Sequence, residues 1–212
     1  ISNPMEHAEA SKIALFSIAD YAWNMDAYKS DASWRRAVRY LMPGHAAALQ
    51  VFASHNSDLG GNEHDFRREE SEQIRPALER LLDAYCREGK REVAAASAVT
   101  EECERMIASA DLLLASDENP ALIKEITPWL IQFKLLGEYG REVLCMLAAQ
   151  CDGKKTELEK AASHAKALQV LMKKIDATYN QNGFQPGVKT GSCHLKPAFD
   201  RLYQEVVQRT GK

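Results

Sequence analysis

A chain of 212 residues is longer than one typical domain and shorter than two, and it can bury a substantial core without disulfide or metal staples. Hydrophobic residues make up 45% and charged residues 27%, with 27 Lys and Arg against 30 Asp and Glu. That balance argues against disorder of the whole chain and against a nucleic-acid or membrane-surface footprint, and no apolar run approaches the ~20 residues that cross a bilayer.

In chain order, hydrophobic periodicity is helical almost throughout, so the expected fold class is all-α. From Glu6 to about Trp23, Ile13, Phe16, Ala19 and Trp23 recur at spacings of three and four, which predicts one apolar face and places Trp23 in a core. Asp31 to His55 keeps a helical period but is interrupted at Pro43-Gly44, where the ring removes a donor and the glycine relaxes the backbone. Two helices at an angle are expected there. The stretch HNSDLGGNEHDF, His55 to Phe66, is the clearest loop, because Asn, Ser, Asp and paired glycines favour turns.

Beyond it, Ile74, Leu78, Leu81, Leu82 and Tyr85 mark a helix ending near Gly89, and Val99, Cys103, Met106, Ala110 and Leu113 mark the next. Asn119-Pro120 puts a cap residue before a proline at the first helical position. Leu122, Ile126, Trp129, Phe133, Leu136, Val143 and Leu147 then form a buried stripe reaching Gln150. Pro128 is a candidate kink, while Gly137 and Gly140 permit a bend or a close helix crossing. Leu158, Ala161, Ala165, Leu168, Met172, Ile175 and Tyr179 read as a heptad seam. An irregular connection, Asn182 to Gly191, leads to a last short helix near Pro197 to Gln208, whose Phe199, Leu202, Tyr203 and Val206 dock on the bundle or elsewhere. Short connections at Gly89-Lys90, Asp117-Glu118 and Asp152-Gly153 make the expected architecture an antiparallel multi-helix bundle.

Chemistry is sparse in this pattern. The five cysteines form no CxxC, and an odd number cannot all pair internally; Cys103 and Cys145 fall on apolar stripes, where a free thiol acts as a small hydrophobe. Neither HExxH nor the Glu-x-x-His pair of bundle di-metal sites occurs, so no metal and no cofactor is expected. GxSxG, the Walker loop and GxGxxG are also missing. Of six histidines, His164 is expected in solvent or capping a partner, and His55 and His64 at the loop are expected on the surface. Glu101-Glu102 reads as solvated charge on a polar helical face.

The opening segment NPMEHAEASKIALFSIADYAWN, followed by Ser33-Trp34 and by ALQVFASHNSDLG from Ala48 to Gly60, resembles glycoside hydrolase family 84. These are bacterial β-N-acetylglucosaminidases that remove O-GlcNAc-type linkages, and the likeness is to the Bacteroides type. The resemblance implies that a (β/α)₈ barrel precedes the bundle and that the Asn-Pro-Met turn follows its final strand, at the end of the barrel where active sites collect. It further implies that Asn3 hydrogen-bonds hydroxyls of bound N-acetylglucosamine, since an amide both donates and accepts. The family's mechanism is substrate-assisted: the 2-acetamido oxygen forms an oxazoline, with one of two adjacent aspartates orienting the amide and the other acting as general acid and base. This chain contains no Asp-Asp, so it is expected to hold no catalytic residue and to be inactive alone.

The resulting expectation divides the chain into residues 1–30, the terminal turn and helix of a catalytic barrel; 31–181, a helical bundle; and 182–212, a connection and last helix. His64 and Phe66 are candidates for the rim of a substrate groove, packing against an aglycone. The implied partner is an N-acetylglucosamine-bearing glycoprotein or glycan, and the implied parent is a secreted or periplasmic bacterial protein. The competing reading is an independent helical interaction module whose apolar seams bind a protein partner or a second copy of the chain as a homo-oligomer.

Overall fold

The computed structural model describes residues 12–55, 74–152, 155–181 and 196–210. Among them it is entirely helical: α1 (Lys12–Trp23), a 3₁₀ turn (Met25–Ala27), α2 (Ser30–Leu41), α3 (Ala46–His55), α4 (Ile74–Glu88), α5 (Val93–Leu114), α6 (Pro120–Asp152), α7 (Lys155–Gln181) and α8 (Lys196–Thr210). The all-α bundle expected from periodicity is therefore what the described residues form.

Local chemistry accounts for the ends of these helices. Pro43-Gly44 does separate α2 from α3: the chain turns over residues 43–45 and the Gly44 amide donates to a Glu118 carboxylate oxygen at 2.8 Å. Gly89 stops α4 with φ 65°, a left-handed conformation in which its amide still reaches the Tyr85 carbonyl at 2.9 Å. The Glu92 side chain caps α5 by accepting from the Ala95 amide at 2.7 Å. Asn119 opens α6, accepting from the Leu122 amide at 3.3 Å, and Pro120 takes the first helical position where its missing N–H leaves nothing unsatisfied. Asn119 carries φ 47°, which its short polar side chain tolerates.

The 33-residue α6 is the axis of the bundle and packs on α5, α7 and α8. It runs unbroken through Pro128, so the expected kink leaves the helix continuous. Two glycines explain how neighbours come so near. A Cβ at Gly137 would lie 2.9 Å from the Cys103 backbone oxygen on α5, and one at Gly140 would lie 2.5 Å from Phe199 Cζ on α8 and 2.7 Å from Cys103 Sγ. Ion pairs flank the antiparallel packing of α5 and α6: Lys134 with Asp111 at 2.6 Å and Arg141 with Glu104 at 3.4 Å. α3 lies across α5, and its Phe52 meets Phe133 of α6 edge to face with centroids 5.3 Å apart. The seam expected on α7 holds at its described positions, with Leu168 and Ile175 fully buried and Ala165 and Met172 partly so.

One expectation for α1 fails. Ile13 is buried and Phe16 half-buried, but Trp23 is 92% exposed, and Leu15, Ile18 and Tyr21 also face solvent. The helix is apolar around most of its circumference, so packing on α2 covers only one side of it.

Gly137→Ala should destabilise the bundle by about 1–3 kcal/mol, because backbone on the facing helix cannot yield as a side chain would. The gain of about 1 kcal/mol in helix propensity does not offset this. A urea-denaturation midpoint at or above that of the wild type would contradict it.

Candidate functional site

Three residues named from the sequence, Asn3, His64 and Phe66, lie outside the described residues. The polar chemistry the structure brings together elsewhere was read from the sequence as surface, and it is buried. His55, at the last turn of α3, is 1% exposed, and its Nε2 lies 2.5 Å from an oxygen of Glu102, itself 6% exposed on α5. Arg105, one turn on, bonds the other oxygen of the same carboxylate. The His55 ring also lies against Phe133, with centroids 5.6 Å apart. The expectations of a surface His55 and a solvated Glu102 are thus both corrected. Glu102 falls on the face of α5 that the α3 crossing covers, and a helical wheel of α5 alone cannot show that crossing.

A groove of about 680 Å³ opens beside this cluster, lined by Ile74 at the start of α4 and by Ala98, Glu101, Glu102, Arg105 and Ala108 along α5. Among the described residues lining it, the Thr100 hydroxyl donates to the Ala96 carbonyl at 2.8 Å. Among the described residues the partners placed on the Glu102 carboxylate are His55 and Arg105. The carboxylate is bridged by two cationic or hydrogen-bonding partners, which suits a clasp between α3 and α5 better than proton transfer. Among the described residues no group of His, Cys, Asp and Glu has the arrangement of a metal site.

A second polar cluster pins the opposite corner of α3. Glu118, between α5 and α6, receives the Gly44 amide and lies 2.9 Å from His45 Nδ1. The Ser116 hydroxyl stands 3.3 Å from the same ring nitrogen, and Asn119 donates to the Leu41 carbonyl at 3.3 Å. The Gly44 amide first, and His45 second, hold the Glu118 carboxyl below its ordinary value. His164, expected in solvent or capping a partner, is half-buried and pairs with Glu142 across α6 and α7 at 2.6 Å. Each described histidine therefore bridges two elements through a glutamate.

A family model described as the bacterial GH84 post-catalytic domain matches residues 70–203. The chain belongs to glycoside hydrolase family 84. A second family model, β-N-acetylglucosaminidase, matches residues 1–54. Solved structures with the same fold include CpGH84D, 26% identical with a TM-score of 0.73, where 95% of this chain aligns to 33% of that one. CpGH84B is 19% identical with a TM-score of 0.71, and 94% of this chain covers 32% of it. An O-GlcNAc hydrolase mutant from Thermobaculum terrenum is 19% identical with a TM-score of 0.69, and 96% of this chain covers 41% of it. The GH84 chain described here thus spans a third to two fifths of the length of these relatives. Residues 70–203, which carry the Glu102, Glu118 and Glu142 partners of these clusters, match a domain that follows the catalytic one.

Two variants separate the clusters. Glu102→Ala should destabilise the chain by roughly 3 kcal/mol, because it leaves His55 buried without its carboxylate. Conservative loss of charge at the half-buried Glu118 should instead act through pH. A carboxyl whose folded value lies below the unfolded value of 4.5 stabilises above that value and loses the contribution as pH falls through the folded one. The stability difference between wild type and Glu118→Gln should be present at pH 7 and shrink below pH 4.5. Thermal melts showing a difference that grows on acidification would contradict this sign.

Proposed function

We propose that this chain is the last turn and helix of a catalytic barrel, with the post-catalytic bundle, of a retaining exo-β-N-acetylglucosaminidase that removes O-linked N-acetylglucosamine by substrate-assisted hydrolysis. The observation that carries the reading is the paired match, residues 1–54 to a β-N-acetylglucosaminidase model and residues 70–203 to the domain that follows the catalytic one.

The surface of α1 supports it. In a (β/α)₈ barrel the last helix is covered by strands on one side and by neighbouring helices on the others. Leu15, Ile18, Tyr21 and Trp23 of α1, with Met25 just after it, are exposed apolar side chains of the kind such cover would bury. α2, which packs on α1, would then tie the barrel to the bundle: Trp34, Ala37 and Val38 bury its inner side while Arg36 pairs with Asp20. The Ser33 hydroxyl first, and Arg36 next, hold the Asp20 carboxyl below its ordinary value, so this junction also carries an ion pair.

In this reading Asn3 contacts sugar hydroxyls at the carboxyl end of the barrel's final strand, and the acetamide-orienting and acid–base aspartates come from polypeptide beyond this sequence, which has no Asp-Asp. His64 and Phe66 stand at the groove rim on the aglycone side. The bundle contributes position rather than chemistry.

The 212-residue chain alone should not turn over 4-methylumbelliferyl N-acetylglucosaminide, while a polypeptide including the preceding barrel should. In that longer protein, Asn3→Ala should lower kcat/KM by roughly 10- to 100-fold, the worth of one or two substrate hydrogen bonds. Turnover by the short chain, or unchanged kcat/KM in the Asn3 variant, would overturn the corresponding part of the reading.

A further inference from the structure

The outer side of α7 is basic in a chain whose formal net charge is -3. From residue 160 to residue 175 the sequence holds Lys160, Lys166, Lys173 and Lys174 and no Asp or Glu. α7 lies against α6 and buries Leu168, Leu171 and Ile175. On the opposite side Ser163, Lys166, Val170, Lys173 and Ala177 are all exposed, Val170 to 53%. These five recur at spacings of three and four. They therefore form a second heptad row along the helix, with Ser163, Val170 and Ala177 at one repeating position and lysine at the other. Lys166 and Lys173 stand two turns and about 10 Å apart along the axis, with Val170 between them. Lys160 and Lys174 flank the row on one side, and Gln169 and Asp176 on the other.

The bundle does not neutralise this row. Elsewhere basic side chains meet an acid of the same or a neighbouring helix, as Lys134 does Asp111, Arg141 does Glu104 and Lys196 does Asp200. The residues four positions from Lys166 and Lys173 are Ala162, Val170, Gln169 and Ala177, none of which is an acid. Among the described residues Lys166, Lys173 and Lys174 form no ion pair. A seam of this kind is complementary to a helix that brings carboxylates to the lysines and an apolar side chain to Val170. Two copies of the row would instead set lysine against lysine, which disfavours a symmetric pairing of this chain with itself. A helix lying on a lipid surface needs a broad apolar face, and Val170 is the large apolar side chain on this one.

We propose that the outer row of α7 is a docking seam for an acidic amphipathic helix of a protein partner. The partner's apolar residues close over Val170 and Ala177, and its carboxylates meet Lys166, Lys173 and Lys174. The seam is independent of the glycosidase reading.

Fluorescence anisotropy of the full chain with a fluorescein-labelled three-heptad peptide, carrying Leu at the a positions and Glu at d, e and g, tests it. Binding should weaken by about tenfold between about 50 and about 200 mM salt. Lys166→Glu combined with Lys173→Glu should weaken it by about tenfold or more, and the corresponding pair of alanine substitutions, which favour the helix, by an intermediate factor. Val170→Ala should cost about threefold through lost apolar contact. Lys124→Glu, at an exposed lysine of α6, should leave affinity unchanged, and far-UV circular dichroism should show the same helicity in every variant. Failure of the wild-type chain to bind the peptide would overturn the proposal, as would equal affinity in the doubly substituted forms or an equal loss in Lys124→Glu. Tighter binding of the same face to phosphatidylserine vesicles or to a sulfated polysaccharide would overturn it too, by assigning the row to a membrane or a glycan.

Discussion

The close approach of helices at Gly137 and Gly140 governs the rest of the bundle. One face of a 33-residue helix has been stripped of side chains over a single turn, so a backbone carbonyl of α5 and an aromatic ring of α8 can sit where Cβ atoms would otherwise stand. Dispersion falls steeply with separation, so an approach this close raises the contribution of every surrounding contact. It also fixes the relative axial position of α5 and α6, since only one register brings Cys103 opposite the gap. The flanking pairs Lys134–Asp111 and Arg141–Glu104 agree with that register, although exposed pairs of this kind add little energy themselves.

Polar groups between helices define geometry in a second way. The described histidines His45, His55 and His164 each meet a glutamate from another element, and each pair joins a different junction. Only the His55–Glu102 pair is fully buried. A buried pair of this sort is weak evidence for stability, because desolvation opposes the Coulombic gain, but it penalises any packing that leaves one partner behind. It therefore selects a single seating of α3 on α5, while Glu118 and Asn119 select the seating at the other end of α3.

The legible part of this fold in the sequence was the part written in local periodicity and caps. The Asn119-Pro120 start, the Gly89 stop, the break at Pro43-Gly44 and the anchors of α8 all follow from residue types within a turn or two of the feature. Errors arose wherever burial depended on a helix distant in sequence. Glu102 and His55 are separated by 47 positions, and no periodicity in either helix announces that they meet. Trp23 misled in the opposite direction: it continues an apolar stripe, yet α2 reaches only the side of α1 that carries Ile13. Asn3, His64 and Phe66 were proposed through a family resemblance rather than through periodicity, and the described residues do not include them.

Cys103 has a consequence of a different sort. Its thiol lies wholly out of solvent at the meeting point of α5, Gly140 and Phe199, and burial pushes its pKa up to about 12. At neutral pH it is both shielded and overwhelmingly protonated, so an alkylating reagent has no thiolate to attack while the helices stay closed. The rate at which Cys103 is labelled then counts the openings of that junction, a clock read by mass spectrometry that needs no introduced cysteine.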